Sequence, residues 1–218
     1  MNELLLDRLK KEYKVEQLDI GKDAVLSKKG MRFETASYEV KGLGHLCMMS
    51  MKAMLGLMKM ETAVLTSTEK DLPLFNLDRV SAMGKKTQLV EFYDNQIKPL
   101  DNEAYDGFMK IKETAEKFED YVSGEHWYDS ILYPFTYAQK NGNDKTFDAV
   151  CVKYIDAYLK LAKEAKECDP AQKKQKAEAF AEELFRQGGP AVDQFKKLFG
   201  EQTAKRVVLH HMYGAEKK

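Results

Sequence analysis

The sequence predicts an α/β protein, built as a three-layer α/β/α sandwich with a central antiparallel sheet. Residues 31–93 form a run of short strand-like segments separated by turns, and the residues after 98 carry apolar side chains at helical spacing. The connections between the strand segments are too short to contain crossover helices, so neighbouring strands are expected to pair antiparallel. These observations favour a β-meander covered by helices.

Turn residues divide the strand region into five segments. Gly42, Gly56 and Gly84 mark three boundaries, and the Asp-Leu-Pro of residues 71–73 marks another. The segments, in chain order, are RFETASYEVK, LGHLCMMSMKAML, LMKMETAVLTS, LDRVSAM and TQLVEFYD. Each is short enough to cross a sheet once, so consecutive segments are expected to lie side by side.

The third strand segment shows why helices must cover both faces of this sheet. Along residues 57–65 the even-numbered positions are apolar or nearly so, and the odd-numbered positions are apolar apart from Lys59 and Glu61. A sheet that is apolar on both faces must be shielded from water on both. The sequence therefore predicts one helical layer on each side.

Both ends of the chain supply helices. Residues 1–14 read as a charged amphipathic helix, and apolar stripes predict two more helices through residues 108–122 and 147–165.

Three further helices are predicted near the C-terminus. Asp169 followed by Pro170 is typical of a helix start, and Gly188 is expected to end that helix. Residues 190–199 and 201–213 complete the set.

Length and charge limit the functional classes. A chain of 218 residues, 44% of them apolar, can bury about 70% of its surface, and no linker divides it, so we expect a single domain spanning residues 1–218. The 35 basic and 35 acidic side chains balance, which argues against a nucleic-acid-binding protein. No apolar run approaches the roughly 20 residues that cross a bilayer, and the start does not resemble a signal peptide. A cytoplasmic protein without a membrane partner is the expectation.

Motifs of common cofactor and metal sites are missing from the sequence. Cys47, Cys151 and Cys168 form no closely spaced pair, and the four histidines lack the spacing of metal ligands. The chain also has no glycine-rich phosphate loop and no nucleophile-elbow serine motif.

Two segments resemble a known family. Residues 61–94, ETAVLTSTEKDLPLFNLDRVSAMGKKTQLVEFYD, resemble two central strands of ferredoxin-dependent bilin reductases and of the related red chlorophyll catabolite reductases. The family motif D-[LI]-P-[IL]-F-G-x-D reads DLPLFNLD at residues 71–78, with Asn76 in place of the glycine. Residues 195–214, FKKLFGEQTAKRVVLHHMYG, resemble the closing pattern of the family. The resemblance implies reduction of a linear tetrapyrrole such as biliverdin by electrons from ferredoxin or flavodoxin, with no permanently bound cofactor.

The resemblance assigns the proton-donor role to Asp78, which closes the motif. In the family, the aspartate at this place protonates the tetrapyrrole as single electrons arrive. A carboxyl group pressed against an apolar conjugated ring loses solvation, which raises its pKa and lets it hold a proton near neutral pH. The alternative is that Asp78 only caps the turn after Phe75.

A second catalytic carboxyl is expected at Glu61. Gapless alignment places Glu61 where the family has a histidine or asparagine that faces the substrate. We therefore expect Glu61 and Asp78 to lie on adjacent strands, face one cavity and share a proton. The alternative is that Glu61 forms a surface ion pair with Lys59 or Lys52.

Other substrate contacts are expected near the matched segments, where methionines can adapt to a large flat ligand and basic groups can hold propionates. The expected binding residues are Lys52, Met49, Met60, Phe75, Arg79 and Arg206. Methionine in a sheet is also typical of an ordinary core. An acidic electron donor requires a basic patch, for which the candidates are Lys85 with Lys86, or Lys173 with Lys174 and Lys176.

The departures from the family pattern leave other functions open. The place of a second acidic residue in some bilin reductases falls on residues 188–190, Gly-Gly-Pro, so a two-site, four-electron reduction is not expected. One alternative is a non-catalytic protein that binds a tetrapyrrole or a small hydrophobic molecule on the same fold. The other is a helical interaction module without a bilin ligand.

Overall fold

The computed structural model describes residues 1–122 and 124–215, and an antiparallel sheet lies at its centre. The strands are β1 (Val15–Leu18), β2 (Val25–Lys28), β3 (Met31–Val40), β4 (Gly44–Ala53), β5 (Met58–Ser67), β6 (Leu74–Ala82), β7 (Lys85–Tyr93), β8 (Glu119–Asp120) and β9 (Tyr137–Lys140). Their spatial order is β1-β3-β4-β5-β6-β7-β9-β8, and β2 also pairs with β3. The predicted meander is confirmed, since β3 to β7 pair antiparallel in chain order.

Helices cover both faces of this sheet. They are α1 (Asn2–Glu12), α2 (Asn102–Thr114), α3 (Asp144–Glu164), α4 (Pro170–Gln187), α5 (Pro190–Phe199) and α6 (Glu201–Lys205), and a π-helical segment, Arg206–Met212, follows α6. The first three pack on one face, and α4, α5, α6 and the π-helical segment pack on the other. The predicted three-layer α/β/α sandwich is confirmed. Within the described part of the chain, no helix has both the length and the apolar character that crossing a membrane requires.

Aromatic rings fill the face under α1, α2 and α3. Phe75 stacks on Phe92 at 4.7 Å and on Tyr158 at 4.9 Å between ring centroids. The Tyr158 hydroxyl donates to the Pro73 carbonyl at 3.1 Å, so its polar end is satisfied inside the core. This face is a packed core.

Short elements at the sheet edges differ from the prediction. Helix α2 ends at Thr114, because Ala115 adopts an extended backbone conformation, so Phe118 and Val122 do not continue the helical stripe. The chain then forms β8, which pairs with β9. Strands of two to four residues, such as β1, β2, β8 and β9, are too short to show alternation in the sequence.

A carboxylate clamp holds the π-helical segment. Asp23, which is 3% exposed, accepts hydrogen bonds from Arg206 Nε at 2.5 Å, from Arg206 Nη2 at 2.8 Å and from His211 Nε2 at 3.0 Å. Residues five apart lie on the same side of a π-helix, so Arg206 and His211 reach the same carboxylate. The hydrogen bonds from Arg206 are the largest influence that lowers the pKa of Asp23, to about 2.

The clamp predicts a specific loss of stability in acid. Because the folded-state pKa of Asp23 lies below its ordinary value of 3.8, its ionised form contributes about 2 kcal/mol above pH 4, and this is lost as the pH falls through 2. Asp23→Asn should therefore lower the free energy of unfolding by about 2 kcal/mol at pH 7 and by less as the pH approaches 2. Urea denaturation at a series of pH values measures this difference. A difference that does not change with pH would contradict the clamp.

Candidate active site

A cavity of about 270 Å³ lies between the sheet and the layer made by α4, α5 and the π-helical segment. The sheet forms its floor, and apolar side chains form most of its walls. The largest apolar lining residues are Phe33, Met49, Met60, Phe180, Phe195 and Met212. The polar groups on the floor are Thr62, Asn76, Asp78, Glu91 and Tyr93.

Strand register brings these polar groups together. Thr62 on β5 lies opposite Asp78 on β6, and Asn76 on β6 lies opposite Glu91 on β7. Side chains that are paired across neighbouring strands, or are two residues apart on one strand, share a face of the sheet. Four polar side chains from three strands therefore converge on one patch of the cavity floor.

The Asn76 amide joins the two carboxyl groups. Its Nδ2 donates to Asp78 Oδ2 at 2.7 Å and to Glu91 Oε2 at 2.8 Å. Thr62 Oγ1 donates to Asp78 Oδ1 at 2.5 Å, and the Tyr93 hydroxyl donates to Glu91 Oε2 at 2.9 Å. Each carboxyl group thus accepts hydrogen bonds from two donors, which fix its orientation.

The cavity shifts the titration of both carboxyl groups toward the protonated form. Desolvation raises the pKa of Asp78, and the hydrogen bonds from Thr62 and Asn76 oppose it. For Glu91, desolvation and then the negative charge of Asp78 raise the pKa to about 7. Among the lining residues that the structure describes, none is a lysine, arginine or histidine that would offset this charge. The pair therefore retains a proton near neutral pH and can act as a general acid.

Tyrosines surround the carboxyl pair. Burial raises the pKa values of Tyr93, Tyr128 and Tyr213 above that of an ordinary tyrosine, so their hydroxyl groups remain protonated at neutral pH. The cavity meets solvent on one side. Tyr121, at 36% exposed, and Pro190, at the start of α5, line that side.

Three of the residues predicted for the site line this cavity: Asp78, Met49 and Met60. Glu61 does not. It pairs in register with Arg79, so its side chain lies on the opposite face, where Oε2 is 3.1 Å from the N-terminal amine of Met1. The expectation that Asp78 and Glu61 share a cavity is wrong, because neighbouring positions on a strand face opposite sides of the sheet and Thr62 is the residue opposite Asp78.

Phe75 and Arg79 also lie on the opposite face. Phe75 belongs to the stacked aromatic core described above. Arg79 donates to Gln88 Oε1 and Asp148 Oδ1, both at 2.7 Å, beside α3. Neither side chain reaches the cavity.

The remaining predicted basic residues lie away from the cavity. Lys52 is exposed on the opposite face and lies in register between Arg32 and Lys59. Arg206 is bound by Asp23. Lys173, a candidate for a surface patch, is fully buried and donates to the Leu72 carbonyl at 2.8 Å. The predicted cationic contacts to propionates are therefore not at this cavity.

Sequence reasoning missed Glu91, although a signal for it is present. The loop between β6 and β7 consists of Met83 and Gly84, which both have positive φ, and it pairs Ala82 with Lys85. A two-residue hairpin loop fixes the register of both strands. Counting back from this loop places Glu91 opposite Asn76 and beside Asp78.

A larger cleft of about 860 Å³ lies between α2, α3 and the chain that follows β7. Its lining mixes charges of both signs, among them Lys98, Asp101 and Glu164. It lacks the desolvated carboxyl pair of the smaller cavity. We assign the candidate site by this chemistry and not by volume.

The fold is similar to that of a protein of known structure. A crystal structure of phytochromobilin synthase from tomato in complex with biliverdin matches with a TM-score of 0.74 and 14% sequence identity, over 100% of this chain and 84% of that chain. No family model and no curated protein matches the sequence. At this identity the likeness establishes similarity of fold only.

The buried position of Glu91 predicts that a substitution that removes its carboxylate charge stabilises the protein above pH 7. Because the folded-state pKa is about 7 and the ordinary value is 4.5, ionisation of Glu91 in the fold costs up to about 3 kcal/mol above pH 7 and nothing below 4.5. Glu91→Gln should raise the free energy of unfolding relative to wild type at pH 8, and the gain should shrink as the pH falls to 4.5. Urea denaturation at both pH values measures it, with Glu61→Gln on the opposite face as the control. An equal effect of Glu91→Gln at both pH values would contradict the assigned environment.

Proposed function

We propose that this protein is a bilin-reductase-like oxidoreductase. It binds a linear tetrapyrrole such as biliverdin in the cavity and reduces it with electrons from external ferredoxin or flavodoxin, and Asp78 donates a proton. The observation that carries the proposal is the desolvated carboxyl group of Asp78 on the floor of an apolar cavity, at the closing position of the DLPLFNLD motif.

The walls of the cavity suit a flat conjugated ligand. Phe180 and Phe195 present aromatic rings from the helical layer, and Met49 and Met60 present flexible thioethers from the sheet. Such walls exclude water from the ligand and hold its rings against the polar floor. The fold likeness to a phytochromobilin synthase in complex with biliverdin supports the choice of ligand class.

Proton donation follows from the position of Asp78. An electron that enters a conjugated tetrapyrrole makes the ring system more basic, so an adjacent neutral carboxyl group can transfer its proton. Thr62 and Asn76 hold the Asp78 carboxyl in one orientation, which keeps the donor aimed at the ligand.

The size and charge of the cavity determine how a tetrapyrrole would lie. A volume of about 270 Å³ is slightly below the ~300–1,000 Å³ typical of ligand pockets, so part of the ligand would extend past Tyr121 and Pro190 into solvent. Because no basic side chain lines the described cavity, the propionates would point outward.

This lack of basic lining residues favours a second candidate function, a non-catalytic binding protein for a tetrapyrrole or a small hydrophobic molecule. A cavity without cations accepts a neutral ligand more readily than a dianion.

Binding should be visible in two spectra. Titration with biliverdin should shift and sharpen its long-wavelength band with a Kd in the micromolar range or below. Bound biliverdin should also quench the fluorescence of Trp127, whose ring centroid lies 5.7 Å from that of Phe180, a residue of the cavity wall. An unchanged bilin spectrum together with unchanged Trp127 fluorescence would exclude the ligand class.

Turnover should depend on the proton of Asp78. Asp78→Asn keeps the shape of the side chain but cannot donate a carboxyl proton, so binding should persist while anaerobic reduction by reduced ferredoxin slows by about 10²- to 10⁴-fold. Glu61→Gln removes a carboxyl group from the neighbouring strand on the opposite face, and it should retain wild-type turnover. Equal rates for wild type and Asp78→Asn would rule out Asp78 as donor, and binding without any wild-type reduction would favour the second candidate function.

A further inference from the structure

Glu91 presents its carboxyl group to the same part of the cavity as Asp78. Both groups accept a hydrogen bond from one nitrogen atom, Asn76 Nδ2, which lies 2.8 Å from Glu91 Oε2 and 2.7 Å from Asp78 Oδ2. Both line the cavity, so a ligand lying over one carboxyl group also lies over the other.

A two-electron reduction of a conjugated ligand needs two protons. Each electron arrives from a redox protein without a proton, and one carboxyl group carries only one. The tyrosines near the pair, Tyr93, Tyr128 and Tyr213, are weak acids here, because burial raises their pKa values. Among the described lining residues, Glu91 is the acidic group besides Asp78 that can supply the second proton.

We propose that Glu91 is the second proton donor, and that Asp78 and Glu91 together deliver both protons of one two-electron reduction to a single site on the ligand. This proposal rests on the proposed function. One electron and the proton of Asp78 form the first new bond to hydrogen, and a second electron and the proton of Glu91 form the next. One double bond of the tetrapyrrole becomes a single bond, the external ferredoxin or flavodoxin is oxidised, and water returns a proton to each carboxylate.

The short separation of the two donors limits the product. Two carboxyl groups that accept hydrogen bonds from one amide nitrogen lie close enough together to deliver both protons to neighbouring atoms of one pyrrole ring. We therefore expect a product that has gained two electrons at one ring.

The titratable groups around Glu91 define its pH response. They are Asp78 on β6, Tyr93 on β7, Tyr213 after the π-helical segment, and Tyr128 and Asp129 in the turn Trp127–Ile131. All of them are acids, so each adjacent ionisation disfavours a second negative charge on the pair. Activity should fall as the pH rises through about 7, where Glu91 loses its proton.

The test compares wild type with Glu91→Gln in anaerobic single turnovers on biliverdin at pH 6 to 8.5. Glu91→Gln should bind biliverdin, accumulate the absorbance of a one-electron-reduced bilin radical, and form the two-electron product about 10²- to 10⁴-fold more slowly at pH 6. It should also lose the decrease in rate near pH 7 that wild type shows. Glu61→Gln should behave as wild type in each measurement.

Several outcomes would overturn the proposal. If Glu91→Gln kept the wild-type rate and pH profile, Glu91 would not be a proton donor. If the wild-type product were reduced at two separate rings, the two protons would not be delivered to a single site. Carboxyl ¹³C NMR tests the pair without turnover: Asp78→Asn should lower the pKa of Glu91, and an unchanged pKa would contradict their coupling. Wild type that neither binds nor reduces biliverdin would overturn the proposed function, and this proposal with it.

Discussion

The two hydrogen bonds from the Asn76 amide to Asp78 and Glu91 are the contact on which the candidate site depends. An amide NH₂ group has two donors, and here each one serves a different carboxyl group. Without a bridging donor, two desolvated carboxyl groups this close would repel each other whenever both were ionised. The bridge lets the pair lose one proton at a moderate cost, which is the property that a proton-delivering site needs. Asn76 also stands where the resembling motif has a glycine, so this departure from the motif supplies the bridge.

The two faces of the sheet have different roles. Stacked rings such as Phe75, Phe92 and Tyr158 fill the face under α1, α2 and α3 and leave it as a rigid support. The opposite face keeps a cavity, and the π-helical segment at the end of its covering layer contributes Val208 and Met212 to the wall. Asp23 fixes that segment from a distant part of the chain. The shape of the cavity therefore depends on a clamp outside it.

The sequence predicted the layers better than the site. Turn residues and alternation identified β3 to β7, and helical periodicity with Asp169-Pro170 identified α3 and α4, because these signals are local. The error at Glu61 arose from the connection of residues 68–73 between β5 and β6. A connection of that length does not fix the register, and a shift of one residue exchanges the two faces. The two-residue loop between β6 and β7 does fix it, so Glu91 was within reach of sequence reasoning. The Asp23 clamp was not, since it joins residues more than 180 positions apart.

The position of a bound bilin tests the central claim most directly, because the claim is that one cavity brings the ligand to Asp78 and Glu91. A crystal structure of the protein with biliverdin at neutral pH provides that measurement. The account predicts tetrapyrrole rings between the sheet and α4 and α5, with a ring atom within about 3 Å of an Asp78 or Glu91 carboxyl oxygen. Biliverdin bound in the cleft between α2 and α3, with the carboxyl pair uncovered, would contradict it.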